Sequence, residues 1–211
     1  MKTSKKEMAE LCGIILGDGH LHKTCNKITI TGSLDDESYH IRRVSLLFKN
    51  NFNVKPIFFK QEKKGAHYIS VESKKIMEYF IKLGLIRGSK TNVSIPQIIE
   101  ENNTLAVHFL RGLFDTDGCL KFSKQTRKLS YYPRIRIIGK ESPMTKDLGS
   151  ILTKLNFDYG LCIDKRTKNK ILIYEISGKK NVQKWFNTIR PNNYTKVKKY
   201  ESWLKDGFYK K

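Results

Sequence analysis

Two carboxylates in matching surroundings are where this sequence promises chemistry. Asp18 lies near the end of the nonapeptide LCGIILGDG (residues 11–19), and Asp117 holds the same place in LRGLFDTDG (residues 110–118). One skeleton, L-x-G-x-x-x-x-D-G, therefore occurs twice, with its acids 99 residues apart. Each copy reads as the end of a helix, with Gly19 or Gly118 as the left-handed residue that closes it. An acid in the last helical turn opposes the macrodipole and costs roughly 0.3–1 kcal/mol. Two such helices paired in parallel would also bring the acids side by side. Packing offers no reason for that arrangement. A divalent cation does, because it neutralises both acids and takes hard oxygen ligands.

The glycines inside the motif say how the acids are brought together. Glycine in a helix interior costs about 1 kcal/mol relative to alanine, so Gly13 and Gly112 need a purpose. Small residues let helix backbones approach closely. Gly13 and Gly17 share one helix face, and Gly112 with Thr116 repeats the spacing. Gly13 and Gly112 are the expected helix interface.

Around the motifs, one order of elements is spelled out twice. Ser4-x-x-Glu7 is a capping-box signature for a helix over about 5–18. Residues 20–31 then alternate, with Ile28 and Ile30 on one face and Lys27, Thr29 and Thr31 on the other. Ser33-x-x-Asp36 opens a second helix with Ile41, Val44, Leu47 and Phe48 on its buried face. A second hairpin covers 54–61 and 66–73, and a third helix carries Ile76, Met77, Phe80, Ile81 and Leu83 before Gly84. Residues 85–103 form the best linker. The second half repeats the order: a helix over 104–117, strands at 119–124 and 131–138, a helix opened by Ser142-Pro143, strands at 159–166 and 170–177, and a helix with Val182, Trp185, Phe186 and Ile189. A short helix around 198–204 follows. Asn51-Phe-Asn53 and Asn156-Phe-Asp158 serve as matching landmarks 105 residues apart, against 99 for the acids. The second half has therefore gained residues, most simply in the first hairpin loop around Ser123 to Ser130. The fold class expected is α+β, with two pseudo-symmetric αββαββα halves, residues 1–95 and 96–211.

Composition points to the partner. Lys+Arg number 41 against 20 Asp+Glu, a formal charge of +21, which suits a polyanion and above all nucleic acid. No transmembrane run or signal peptide is visible, so an intracellular, non-secreted protein is expected. The four cysteines show neither C-x-x-C nor zinc-finger spacing and read as reduced thiols. His20 and His22 beside Asp18 raise zinc, but alternate residues on any strand share a face.

With its motif doubled in a basic chain, the sequence resembles the single-chain LAGLIDADG homing endonucleases over nearly its whole length. That resemblance implies site-specific hydrolysis of double-stranded DNA with short 3′ overhangs, by a monomer whose two antiparallel sheets form a DNA-binding saddle. It implies Mg²⁺, with Mn²⁺ or Ca²⁺ as substitutes, held at Asp18 and Asp117 and at Gly17 and Thr116 just before them. Aligning Ile-Thr-Gly32-Ser33 with Ile-Ile-Gly139-Lys140 puts Lys140 where family members keep a residue that steadies the phosphate, and only Ser33 in the first half. Lys121 and Lys90 are weaker candidates. Asp115, whose counterpart is Leu16, reads as a cap-region or surface carboxylate. A two-stranded ribbon fits the major groove. Lys27, Thr29, Thr31, Tyr68, Ser70, Lys121, Arg134, Arg136 and Arg166 are the expected DNA contacts, with arginine forks for guanine edges and lysines for phosphates. Protein-splicing end residues are not seen, which favours an intron-encoded or free-standing enzyme. The alternative is a non-cleaving protein of the same fold, either an RNA maturase acting on intron RNA or a DNA-binding regulator.

Overall fold

The structure is a computed structural model and describes residues 3–125, 128–164 and 170–209. The first motif helix, α1 (Lys5–Gly17), begins where the Ser4 side chain accepts from the Glu7 N–H. The second, α6 (Asn103–Thr116), begins where Asn102 Oδ1 accepts from the Leu105 N–H at 3.1 Å. These side-chain caps satisfy donors that a helix start leaves without partners.

Each motif helix feeds a four-stranded antiparallel sheet. In the first half the strands are β1 (Gly19–Leu21), β2 (Lys27–Ser33), β3 (Ile57–Gln61) and β4 (Ala66–Glu72), in the order β1-β2-β4-β3. In the second they are β5 (Cys119–Ser123), β6 (Tyr132–Lys140), β7 (Gly160–Asp164) and β8 (Ile171–Ser177), in the order β5-β6-β8-β7. Between the hairpins of the first half lie a 3-10 turn (Leu34–Asp36), α2 (Glu37–Tyr39), a π turn (His40–Val44) and α3 (Ser45–Phe52). In the second half this place is taken by α7 (Pro143–Lys154), which has a complete capping box between Ser142 and Thr145. Then α4 (Lys74–Lys82) closes the first repeat and α8 (Lys179–Ile189) the second. The expected αββαββα order holds in both halves.

Both sheets bury one face against helices. Ile28, Ile30, Ile69 and Val71 are buried in the first sheet, and Leu120, Ile135, Ile137, Leu172, Tyr174 and Ile176 in the second. Alternation then leaves the polar set on the opposite face. That set includes Lys27, Thr29, Thr31, Tyr68 and Ser70 in one sheet and Lys121, Arg134 and Arg136 in the other.

Several expectations need correction. Residues 85–103 are no free linker: Leu85, Val93, Ile95 and Ile99 are buried, and a short helix, α5 (Gln97–Glu100), forms within the segment. Ile41 is 45 % exposed. The π turn inserts extra rotation, so the spacing that keeps Val44, Leu47 and Phe48 inward carries Ile41 outward. The final helix, α9 (Tyr194–Asp206), is longer than expected. The residue that closes α3 in left-handed conformation is Asn53, and Asn156 does so just after α7, so these helix ends lie 103 residues apart. The gain in the second half does fall in the first hairpin, whose connection runs over 124–131 against 22–26.

Candidate active site

The two motif helices touch along their small residues. A Cβ on Gly13 would stand 2.1 Å from the Phe109 carbonyl oxygen, and one on Gly112 would stand 2.1 Å from that of Glu10. A Cβ on Gly17 would meet Thr116 Oγ1 at 2.2 Å. The contacts are reciprocal, as a two-fold axis between the helices requires.

At the end of this seam Asp18 and Asp117 occupy equivalent helix-closing positions, with φ, ψ of −83°, −2° and −80°, −14°. Gly19 and Gly118 follow, but not as left-handed residues; neither has a positive φ. Glycine is needed because the chain folds back over the helix end. A Cβ on Gly19 would lie 2.5 Å from Ile15 Cα, and one on Gly118 would lie 2.2 Å from Phe114 Cδ2.

The acids crowd each other. Burial, then the charge of Asp117 and a hydrogen bond to its side chain, push Asp18 up to about 7, with Lys196 opposing. Two lysines from distant segments relieve the negative helix ends. Lys90 Nζ donates to the Leu16 carbonyl at 3.0 Å and to that of Gly17. Lys196 Nζ donates to the carbonyls of Phe114 (2.6 Å), Asp115 (3.0 Å) and Thr116 (2.9 Å). Burial lowers the pKa of both ammoniums, while Asp117 and Asp18 raise that of Lys90, and Asp115, Asp36 and Asp18 that of Lys196. Lys140 reaches the same place from β6: with Asp117, Gly17 and Lys90 it lines a cavity of about 290 Å³. Ser33 instead donates to Asp36 Oδ2 at 2.8 Å.

Among the described residues no group of three or more His, Cys, Asp or Glu gathers as a metal site. His22 Nε2 shares a hydrogen bond with Thr29 Oγ1 (2.9 Å). Two crowded carboxylates beside backbone oxygens suit a hard cation that completes its shell with water and phosphate, as Mg²⁺ does.

Asp115 is not at the surface. It is 1 % exposed, and Oδ2 accepts from the Asn192 N–H at 2.7 Å. Burial pushes it up to about 7, against the backbone donors of Asn192 and Asn193. Two positions off Asp117, it points sideways from the helix into the 192–193 segment. Asn193, fully buried, donates from Nδ2 both to the Asp115 carbonyl (2.8 Å) and to Asp36 Oδ1 (2.6 Å).

Glu10 and Lys196 went unseen in the sequence. Glu10 is fully buried in α1 and accepts two bonds from Arg43, at 2.7 and 2.6 Å, and one from Asn192 at 3.2 Å, with Arg111 3.5 Å away. Burial alone would raise its pKa, but the hydrogen bonds from Arg43 and His108 and the charges of Arg43 and Arg111 hold it down to about 2. An isolated Glu in an apolar run was the only local signal. For Lys196 there was a weak one, its place in a basic stretch answering that of Lys90.

Of the expected DNA contacts, Thr29 pairs with Ser70 and Thr31 with Tyr68 across β2 and β4, while Lys27 faces Glu72. Lys121 pairs with Arg134. Arg134 and Arg136 are not independent forks. Both grip Glu175, through Nη1 at 2.6 Å and Nε at 2.5 Å. Arg166 lies outside the described residues.

The fold has counterparts among known proteins. Residues 104–190 match the model of the LAGLIDADG-like domain. The chain is 33 % identical over 205 residues to the replication factor C small subunit of Methanocaldococcus jannaschii and 25 % identical over 200 residues to the tRNA-splicing ligase RtcB of Methanopyrus kandleri. These matches take in 95 % and 86 % of this chain but only 10 % and 20 % of the relatives, so their names describe much longer proteins. Among solved structures, I-DmoI in complex with DNA and Ca has a TM-score of 0.64 at 18 % identity, covering 95 % of this chain and all of that one. The meganuclease I-SmaMI bound to DNA has 0.63 at 16 % identity, covering 97 % and 90 %. At such identities the likeness is one of fold.

Proposed function

We propose that this chain, which has the LAGLIDADG homing-endonuclease fold throughout and a LAGLIDADG-like domain over residues 104–190, is a site-specific endonuclease for long, asymmetric double-stranded DNA. The observation that carries the reading is the pair of acids, one from each half, crowded together at a pseudo-two-fold axis. The two strands of a duplex are related by the same symmetry, so each half can address one scissile phosphate.

Asp18 and Asp117, with the Gly17 and Thr116 carbonyls beside them, would hold the divalent metal. When bound, that metal supplies charge stabilisation at phosphate oxygens and an activated water. The chain's own residues do the rest. Lys140, which lines the cavity beside Asp117 and Lys90, would meet the charge that develops on the phosphate. Lys90 and Lys196 fix the ends of the helices that carry the acids. The polar sheet faces and the +21 charge hold the duplex. Only Ser33 answers Lys140 in the first half, so the two strands are cut at unequal rates; the short 3′ overhangs are what the resemblance to LAGLIDADG homing endonucleases implies.

The test is to incubate the full chain with a randomised duplex library in Mg²⁺ and sequence the ends produced. Staggered ends at one recurrent sequence, absent in EDTA and in Asp18→Asn, are expected. Sequence-selective binding with no ends would identify a regulator, and retention of structured RNA alone a splicing helper. Either outcome overturns the endonuclease reading.

A further inference from the structure

The outward faces of the two sheets are mostly polar and basic, with Ile57 and Ile171 among the apolar exceptions, and one equivalent row in each crosses three strands beside the strand glycine. In the second sheet Ile138 pairs with Ile173, which pairs with Cys162. In the first, Thr31 pairs with Tyr68, which pairs with Phe59. Each row stands one residue before the strand glycine, Gly139 or Gly32, next to the centre that Lys140 and Asp117 line. Ile138 is 41 % exposed, Cys162 is exposed and Ile173 half-buried.

Single exposed apolar residues are ordinary. Three abreast on neighbouring strands, beside a basic centre and next to the Arg136–Glu175 pair, are a contiguous patch that calls for an apolar partner. A second copy of this chain is repelled by its own charge. On a duplex, the apolar group that a base edge shows in the major groove is the C5-methyl of thymine.

We propose that the row Ile138–Ile173–Cys162 reads thymine methyl groups in the inner part of the half-site served by the second sheet; this rests on the reading of the chain as a DNA endonuclease. Ile138 lies two residues from Lys140, about 7 Å of strand, so the thymines fall within the first few base pairs from the cleavage centre. The first sheet's row carries the Thr31 and Tyr68 hydroxyls and a stacked Phe59–Tyr68 pair, with ring centroids 5.1 Å apart and Ile57 beside it, so it presents aromatic rings where the second presents aliphatic groups. The two half-sites therefore differ in kind.

The full chain, held in Ca²⁺, would be used to select duplexes from a randomised pool. Each thymine of the recovered site would then be replaced by deoxyuridine, which removes the methyl alone. At one or two inner positions of one half-site, binding should weaken about fourfold per methyl. That loss should vanish in Ile138→Ser/Ile173→Ser, whose folding is checked by its thermal midpoint. Equal binding of thymine and uracil at every inner position, or an unchanged penalty in the variant, would overturn the row's role while leaving DNA recognition intact. Failure to enrich any duplex would instead remove the DNA reading beneath it.

Discussion

Lys196 stands to α6 as Lys90 stands to α1: each lays its ammonium on the last carbonyls of a helix that ends in an acid. The fold thus sets two fixed cations beside two repelling carboxylates, and each ammonium also meets the negative end of its own helix.

Replacing Asp18 or Asp117 by Asn separates stability from activity. Loss of metal-held charge stabilisation, several kcal/mol, should slow Mg²⁺-dependent cleavage about a thousandfold or more. Stability in EDTA should rise, because the repulsion goes. Single-turnover cleavage and thermal midpoints in EDTA would report the two signs, and an active Asp18→Asn enzyme would refute the assignment.

The same crowding sets a pH dependence. Burial and Asp117 raise the folded pKa of Asp18 to about 7, and burial does the same for Asp115. A raised carboxyl contributes stability that is full below its unfolded value and lost as pH climbs through the folded value. Metal-free protein should therefore lose stability between about pH 4 and 7 from these groups. Mg²⁺ should raise the thermal midpoint more at pH 8 than at pH 6, because protons compete with it at the lower pH.

Gly13→Ala and Gly112→Ala should destabilise despite the better helix propensity of alanine. The propensity gain is about 1 kcal/mol. Against it, the new methyl would sit 2.1 Å from a backbone oxygen of the facing helix, and forcing the helices apart costs typically 1–3 kcal/mol or more. Since the seam also aligns the acids, cleavage should fall further than stability alone explains. Denaturant midpoints and cleavage rates on the same variants would check both.

Lys196→Met should cost about 2 kcal/mol, because three helix-end carbonyls lose a charged donor. Cleavage should fall as well, with duplex binding nearly unchanged. A variant with reduced binding and normal single-turnover cleavage would place Lys196 on the DNA instead.

His40 and His67 share a hydrogen bond at 2.5 Å in the core of the first half. Burial, then the His67 charge, lowers His40 to about 4. A depressed histidine contributes stability present above its unfolded pKa of about 6.5 and lost as pH falls through the folded one. About 3 kcal/mol should disappear between pH 6.5 and 4, measured by urea unfolding, and His40→Gln should flatten that limb.

What local chemistry can say, the sequence said alone: both acids, the capped start of α1, the alternating faces of the strands and the repeat itself. Caps act over three residues and strand alternation over two, so such features are written where they occur. Tertiary structure decided whatever depends on partners remote in sequence. Lys90 and Lys196 find their carbonyls 73 to 82 residues away. Asp115 is buried because the 192–193 segment crosses α6, and Glu10 because Arg43 and Arg111 converge on it from two other helical segments. Glu175 claims Arg134 and Arg136 from a neighbouring strand, and Gly19 and Gly118 are glycines because the chain returns over its own helix. A side chain's charge is visible in a sequence, but its desolvation and its partners exist only once the chain has closed on itself.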